Sequence, residues 1–485
     1  MDTIELQKLD EVYFRVLAEP EILAEMSEYF TFYVPGAHFT PKFKAKIWNG
    51  KISLLNRTNN TIYCGLVNNI QTFANERCYD FIYKKETNII SQDEIDLFLQ
   101  SLKLPLELRD YQYNSFVHSI QNNRALIVSP TASGKSLVIY LLSRYYTQDE
   151  SGKVLLIVPT LNLVAQMKTD FQEYGANIQY DVDKNIHSLY SGQDRTVEKP
   201  ITISTWQTAI KLPKDYFQKF SCVIVDEAHL ATSKSLKYIL ENCVNTPHRF
   251  GTTGTIQSTK CHSLVVEGLT GPIFQATTTK HLMDDKKLAE LKIRCIVLEH
   301  SEEERKQNNK LDYHQEIEYI VSHQKRNKYI RNLALSLKGN TLLLFQYVKK
   351  HGVGIYEDIK NKDKTRKVFF VAGSTEVEER EQIRAITETE ENAIIVASIG
   401  VFSLGINIKN LENIIFASPS KSRIRTLQSI GRVLRIGRSD KAILYDVIDD
   451  MHWKKHRNYA LKHFFERIKI YDQERFSYAI YQVKL

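Results

Sequence analysis

The sequence predicts an α/β protein with two doubly wound parallel-sheet domains in tandem, preceded by a small α+β domain. Two observations carry that reading. Ten short apolar runs alternate with amphipathic helical patterns: 124–129, 154–158, 201–205, 222–225 and 248–251, then 341–346, 367–371, 393–398, 413–417 and 442–447. Continuous apolar runs mark strands buried on both faces, and strands alternating with helices mark βαβ units. Residues 1–104 lack this rhythm. There Val12, Phe14 and Val16 alternate as in a strand, while Ile22, Met26, Tyr29, Phe30 and Tyr33 recur at helical spacing.

The expected domains are 1–104, 105–285, 286–455 and a C-terminal helical extension at 456–485. Ser91 with Glu94 forms a possible capping box ahead of Ile95, Phe98, Leu99 and Leu102. The extension has one apolar face, Leu461, Phe464, Phe465 and Ile468, for packing on the second sheet domain. The charged stretch 301–332 reads as a solvated loop and helix.

Composition excludes several classes. With 485 residues, 43% hydrophobic and 25% charged, the chain has ordinary globular usage. No run reaches the roughly 18 apolar residues of a membrane span, and the acidic start has no signal-peptide pattern. The six cysteines form no CxxC pair, which argues against a zinc module or a disulfide framework and for a reducing cytosolic compartment. The net charge is +8, yet residues 282–485 alone hold 37 basic against 28 acidic residues. That excess suits a polyanion-binding surface or an ordinary basic domain.

After the run 124–129 comes Ser129-Pro130-Thr131-Ala132-Ser133-Gly134-Lys135-Ser136 and an apolar helix. This is a phosphate loop whose first glycine is replaced by Ser129. Gly134 permits close backbone approach, Lys135 supplies charge to the β/γ-phosphates, and Ser136 offers a hydroxyl to Mg²⁺. The helix start adds unpaired N–H donors. After the run 222–225 stand Asp226 and Glu227, suited to holding Mg²⁺ and to activating the attacking water. Alone the pair is an ordinary acidic loop, but its place behind the phosphate loop strengthens both. In the second half, Arg432 and Arg435 lie three apart on one helical face, placed either to stabilise charge on a γ-phosphate or simply as a basic face.

These residues resemble superfamily 2 helicases and translocases over nearly all of 105–450. The resemblance implies two RecA-like domains, ATP and Mg²⁺ as cofactors, and a monomer acting on nucleic acid. It implies that Arg109 and Gln112 belong to an adenine-reading element, and that Thr131, Ser133, Gly134, Lys135 and Ser136 hold phosphates. Pro159 and Thr160, then Thr205, Trp206 and Gln207, match elements that touch nucleic-acid backbone. Asp226 to His229 is the DEAH form of the acidic motif. Thr253-Gly254-Thr255 stands where Ser-Ala-Thr is usual. Phe345-Gln346 is a loose match to a further motif. Ser398 with Gly405 and Asn407, and Gln428 with Arg432 and Arg435, match motifs of the second domain. The whole plan, including 39–55, 396–406 and 427–435, resembles the UvsW-type branched-DNA helicases of bacteriophages.

No acidic residue occurs between Glu28 and Glu76, while Lys42, Lys44, Lys46, Lys51 and Arg57 do. Lys42, Lys44 and Lys46 alternate, so a strand would align them with Phe43 and Trp48 interleaved. Such a face fits DNA, by phosphate neutralisation and base stacking. Otherwise Phe43, Ile47, Leu54 and Leu55 are core and the lysines solvate an edge strand. The expected activity is ATP-dependent unwinding or branch migration of forks, displacement loops and four-way junctions. A double-strand translocase, an RNA helicase and a nucleotide-gated DNA-binding module remain as alternatives.

Overall fold

The computed structural model describes residues 2–34, 36–84, 90–149, 151–189, 198–255, 260–286, 288–401, 408, 410–418 and 441–485. The chain divides into two compact units, 1–129 with 134–276, and 130–133 with 277–485.

The first unit opens with β1 (Thr3–Lys8), β2 (Tyr13–Leu17), β3 (Thr31–Tyr33), β4 (Lys51–Ser53), β5 (Thr61–Tyr63) and β6 (Asp80–Ile82). Four of these form a mixed sheet in the order β5-β2-β1-β6, and β3 pairs with β4 alone. Phe14 and Val16 point into the core on β2, as their alternation predicts. The helix Pro20–Tyr29 buries Ile22 and Met26 but stops before Thr31, so Tyr33 belongs to β3 and is exposed. The Ser91–Glu94 capping box is present on the helix Gln92–Ser101.

Seven parallel strands follow: β7 (Arg124–Val128), β8 (Val154–Val158), β9 (Ile186–Leu189), β10 (Ile201–Thr205), β11 (Cys222–Asp226), β12 (His248–Thr253) and β13 (Ile273–Gln275). Their order is β13-β7-β12-β11-β8-β10-β9. One face packs on helices that include Gln92–Ser101, Asp110–Asn122 and Lys135–Tyr145. The other shares a continuous apolar core with the N-terminal mixed sheet, from Ile4 and Phe14 through Phe73 to Val223 and Leu269. The small domain is therefore fused to the first large sheet rather than tethered to it.

Polar contacts lock this seam. Arg124 pairs with Glu11 at 2.6 Å, and the hydroxyls of Tyr13 and Tyr63 both donate to Glu241, at 3.0 and 2.7 Å. Gly65 sits so close to the helix Lys260–Thr270 that a Cβ there would lie 2.1 Å from the Glu267 carbonyl oxygen.

The second unit contains β14 (Glu290–Glu299), β15 (Thr341–Phe345), β16 (Val368–Val371), β17 (Ile394–Ser398), β18 (Asn413–Phe416), β19 (Lys441–Asp450) and β20 (Ser477–Lys484). All pairs are parallel, in the order β16-β17-β15-β18-β19-β14-β20. The C-terminal segment is more than a helix: after Tyr459–Gln473 the chain adds β20 beside β14. On that helix Leu461 and Phe464 are buried, while Phe465 is 40% exposed. Phe465 instead carries the Arg457 guanidinium over its ring.

The stretch 301–332 is helical in part as expected, over Glu302–Gln307, Tyr313–Ser322 and the start of Gln324–Ser336, but two of its charges are buried rather than solvated. Arg326 is fully enclosed and donates to Asp449 at 2.8 Å and to the Ala417 carbonyl at 2.7 Å. Glu316 accepts from the backbone N–H groups of Tyr459 and Ala460, satisfying a helix start. Buried charges are tolerated when paired and hydrogen-bonded in this way. Among the described residues no helix is long and apolar enough to cross a membrane.

Gly65→Ala is expected to destabilise the first unit by about 1–3 kcal/mol, because the added methyl meets backbone that cannot rotate away. A lowered first melting transition checks this; an unchanged melting curve would show that the seam relaxes freely.

Candidate functional site

In a parallel sheet every strand ends on the same edge, and ligands bind beyond those ends. In the first unit that edge collects the chemistry. The phosphate loop leaves β7 and enters the helix Lys135–Tyr145. Gly134 caps that helix at φ 81°, a left-handed conformation natural to glycine. A side chain there would also collide with Gln112, whose Nε2 lies 2.4 Å from the ideal Cβ position. Ala132, at φ 68°, takes the same conformation without glycine's freedom. Thr131 and Ser133 lie within the loop, and the Ser133 hydroxyl donates to the Pro130 carbonyl at 2.8 Å.

Lys135 folds back to donate to the Ser129 carbonyl at 3.1 Å, and Ser136 shares a 2.8 Å hydrogen bond with the Tyr174 hydroxyl. Gln112 is almost fully buried beside the loop. Its Oε1 accepts from the Arg109 backbone N–H at 3.1 Å, and its Nε2 donates to the Gly134 carbonyl at 3.4 Å. The Arg109 guanidinium donates to the Tyr111 hydroxyl at 2.7 Å. The expected base-reading element and the phosphate loop are therefore in direct contact.

Two strands away, β11 ends at Asp226. Its Oδ1 accepts from the Thr252 hydroxyl at 2.8 Å and from the Glu227 backbone N–H at 3.0 Å. Burial pushes the Asp226 carboxyl up to about 6, and the neighbouring Glu227 charge adds to this; Lys135 and the Thr252 hydroxyl oppose it. A buried carboxylate of this kind suits a bound divalent cation, for which oxygen is the preferred donor.

Glu227 is held at φ 52°, strained for a residue with a Cβ. Its Oε2 lies 3.2 Å from His229 Nδ1. That ring nitrogen is also 3.0 Å from the Thr253 hydroxyl, which donates to the Thr255 carbonyl at 2.8 Å. The Thr-Gly-Thr at 253–255, which stands where Ser-Ala-Thr is usual, thus keeps a hydroxyl link to His229. Thr252 is a site residue that the sequence reading missed. Its signal is the parallel register Asp226–Thr252, which needs the strand pairing to be known.

The elements expected to touch nucleic-acid backbone also meet. β8 and β10 are neighbours with Val158 opposite Thr205, so Pro159 and Thr160 lie beside Trp206 and Gln207. Gln207 Nε2 donates to the Pro159 carbonyl at 3.5 Å. Thr160 and Thr205 each cap the helix that follows, accepting from Leu163 and Thr208 N–H.

In the second unit, Ser398 ends β17 and is buried, and Gln346 follows β15 with its N–H donating to Ser418 Oγ at 3.1 Å. Gly405, Asn407, Gln428, Arg432 and Arg435 lie outside the described residues.

Lys42, Lys44 and Lys46 are not on a strand, whereas Lys51 opens β4. Thr40 caps a short helix Pro41–Lys44, and Lys46 follows at φ 56°. Proline at the first helical position and the threonine cap outweigh the alternating pattern. Lys42, Lys44, Lys46 and Lys51 are all exposed, and Lys51 sits 5.5 Å above the Tyr33 ring. The Trp48 indole is half-buried and donates to the Lys51 carbonyl at 2.7 Å. Leu54 and Leu55 are core as the alternative reading expects, but Ile47 is 77% exposed.

Comparison with known proteins gives the same layout. Residues 3–84 match the family "DNA helicase UvsW, N-terminal". Residues 105–258 match "Type III restriction enzyme, res subunit", and 324–437 match "Helicase conserved C-terminal domain". The ATP-dependent DNA helicase uvsW of Enterobacteria phage T4 is 35% identical over 97% of each chain. The DNA 3'-5' translocase XPB2 of Sulfurisphaera tokodaii is 24% identical over 76% of this chain and 89% of its own. The crystal structure of T4 UvsW superposes with a TM-score of 0.52 and 32% identity, covering 99% of both chains. With its N-terminal domain, both RecA-like sheets and the phosphate-loop edge all accounted for, the chain belongs to the UvsW family of superfamily 2 helicases.

Proposed function

We propose that this chain is an ATP-dependent DNA helicase that remodels branched DNA such as forks, displacement loops and four-way junctions. The observation that carries the reading is the convergence of Lys135, Asp226 and Glu227 at one sheet edge, on a chain alike from end to end to a phage DNA helicase. Lys135 and the helix start bind the β/γ-phosphates, and Gln112 with Arg109 reads the base. Ser136 and Asp226 are the residues to hold Mg²⁺, which would neutralise phosphate charge. Glu227 orients and deprotonates the attacking water. Arg432 and Arg435 supply the cations for the γ-phosphate, and Gly405, Asn407 and Gln428 complete the nucleotide contacts by motif. A hydrolytic glutamate of this kind is superfluous in a clamp that only holds DNA.

DNA contact is assigned to Pro159, Thr160, Thr205, Trp206, Gln207 and Ser398 in the two RecA-like domains, at 105–285 and 286–455. Residues 1–104 add Lys42, Lys44, Lys46, Trp48 and Lys51. The chain acts as a monomer in the cytoplasm of its host. The archaeal relative named as a translocase favours one second reading, movement along duplex DNA without strand separation. Hydrolysis measured alone and with single strand, duplex, fork and four-way junction, with strand exchange followed in the same samples, separates the two. Stimulation by branched DNA with junction movement supports the helicase; equal stimulation by plain duplex without separation supports the translocase.

Lys135→Ala is expected to abolish hydrolysis and weaken nucleotide binding. Glu227→Gln should still bind ATP but turn over at least about 100-fold more slowly, the scale of a lost general base; wild-type turnover would remove Glu227 from the reaction. Thr253→Val should lower DNA-stimulated turnover roughly two- to tenfold, the scale of one hydrogen bond, with DNA-free turnover less affected. An equal fall in both would make the Thr253–His229 contact purely structural. The combined Lys42→Glu, Lys44→Glu and Lys46→Glu variant should weaken fork binding and flatten the salt dependence by about 0.9 per lost duplex phosphate contact. An unchanged slope would clear those lysines of DNA contact.

A further inference from the structure

The basic excess of the final third is not absorbed by the nucleotide site or by Ser398. Part of it is displayed on one short turn. β19 runs to Asp450 on the same edge of its sheet as Phe345 and Ser398, and the chain then makes a tight reversal. Trp453 N–H donates to the His456 carbonyl at 3.0 Å, and His456 N–H returns a bond to the Trp453 carbonyl at 3.0 Å. Lys454 and Lys455 form the tip, with Lys454 at φ 53° as a hairpin turn of this length requires.

Hydrogen bonds tie down the base of the turn. Met451 N–H donates to Asn458 Oδ1 at 3.1 Å. Asn458 Nδ2 donates to the Asp449 carbonyl and to buried Glu316, each at 3.1 Å. The turn is therefore set before any partner arrives, so little ordering entropy opposes binding.

A groove of about 710 Å³ runs between this turn and residues 309–312. Lys310, Trp453, Lys454, Lys455, His456 and Tyr459 line it. Lys310, Lys454 and Lys455 are exposed, Trp453 and Tyr459 half-buried, and none of the three lysines is in an ion pair among the described residues. The one acid on the lining, Asp312, already accepts the Gln315 N–H at 2.9 Å as a helix cap. Several free cations beside an indole suit a polyanion that carries flat apolar groups, which is the chemistry of an unpaired nucleic-acid strand.

We propose that the Trp453–His456 turn and Lys310 form a second single-strand contact, in which the lysines hold phosphates and an unpaired base stacks on Trp453. This rests on the DNA-remodelling reading above. It adds a grip on the far side of β18 from the strand ends at Phe345 and Ser398.

The test uses the full chain with oligo(dT) and with a fork carrying a single-stranded arm. The Lys310→Glu, Lys454→Glu and Lys455→Glu variant is expected to weaken oligo(dT) binding and to flatten its salt slope by about 2, near 0.7 per phosphate contact. Its melting curve should match the unsubstituted chain, because all three side chains are exposed. Trp453→Ala should lose at least about fivefold in affinity. Trp453→Phe should keep most of the affinity while losing part of the tryptophan quenching that oligo(dT) causes. If the substituted chains match the original in affinity, slope and quenching, the turn is not a DNA contact, although the helicase reading stands. If the unsubstituted chain binds neither oligo(dT) nor the fork, both readings fall together.

Discussion

Parallel pairing of β11 with β12, in register from Cys222–His248 to Asp226–Thr252, is the constraint on which the rest of the first unit depends. It fixes which residue on one strand meets which on the next. Upstream of the last pair the residues Cys222–Val225 and Arg249–Gly251 are buried and out of reach of a ligand. At the last pair the sheet ends, and an acid can stand beside a hydroxyl that orients it. One residue further, the two chains diverge into Glu227 and Thr253, and His229 bridges back between them. A one-residue slip would move Thr252 away from Asp226 and reverse every side chain on β12.

The same logic explains where large buried charges are allowed. Arg249 is fully enclosed on β12, yet it donates to the carbonyls of Leu269, Cys243 and Leu240. Those carbonyls lie at or just beyond the ends of two helices, where the last turn has no partner of its own. Arg467 is paired in a similar way, with both oxygens of Asp446, at 2.8 and 2.9 Å. Burial and the loss of solvation oppose the guanidinium, but the carboxylate holds it charged. These arginines serve the architecture, and their depth separates them from the exposed cations available to a ligand.

The central strands were legible because each is a continuous apolar run, and position in sequence then ordered the motifs. β9, β13, β14 and β20 were missed for a shared reason. β9, β13 and β20 are sheet edges, where only partial burial is demanded, and β14 alternates Lys292 and Arg294 with apolar residues near its start. The phosphate loop and acidic pair were readable because backbone geometry and metal chemistry permit few residues there. Lys42, Lys44 and Lys46 misled because period-two spacing is weak evidence over five residues when Thr40 and Pro41 already specify a helix start. Arg326 and Glu316 misled because charge alone does not reveal a partner over a hundred residues away.

The seam between the N-terminal domain and the first large sheet has a mechanical consequence. The helix Lys234–Asn242 starts just beyond the acidic loop and carries Glu241, which the hydroxyls of Tyr13 and Tyr63 grip. A common apolar core lies behind it, and a second helix, Lys260–Thr270, presses its backbone against Gly65. The N-terminal sheet and the acidic loop are therefore braced by one and the same helix.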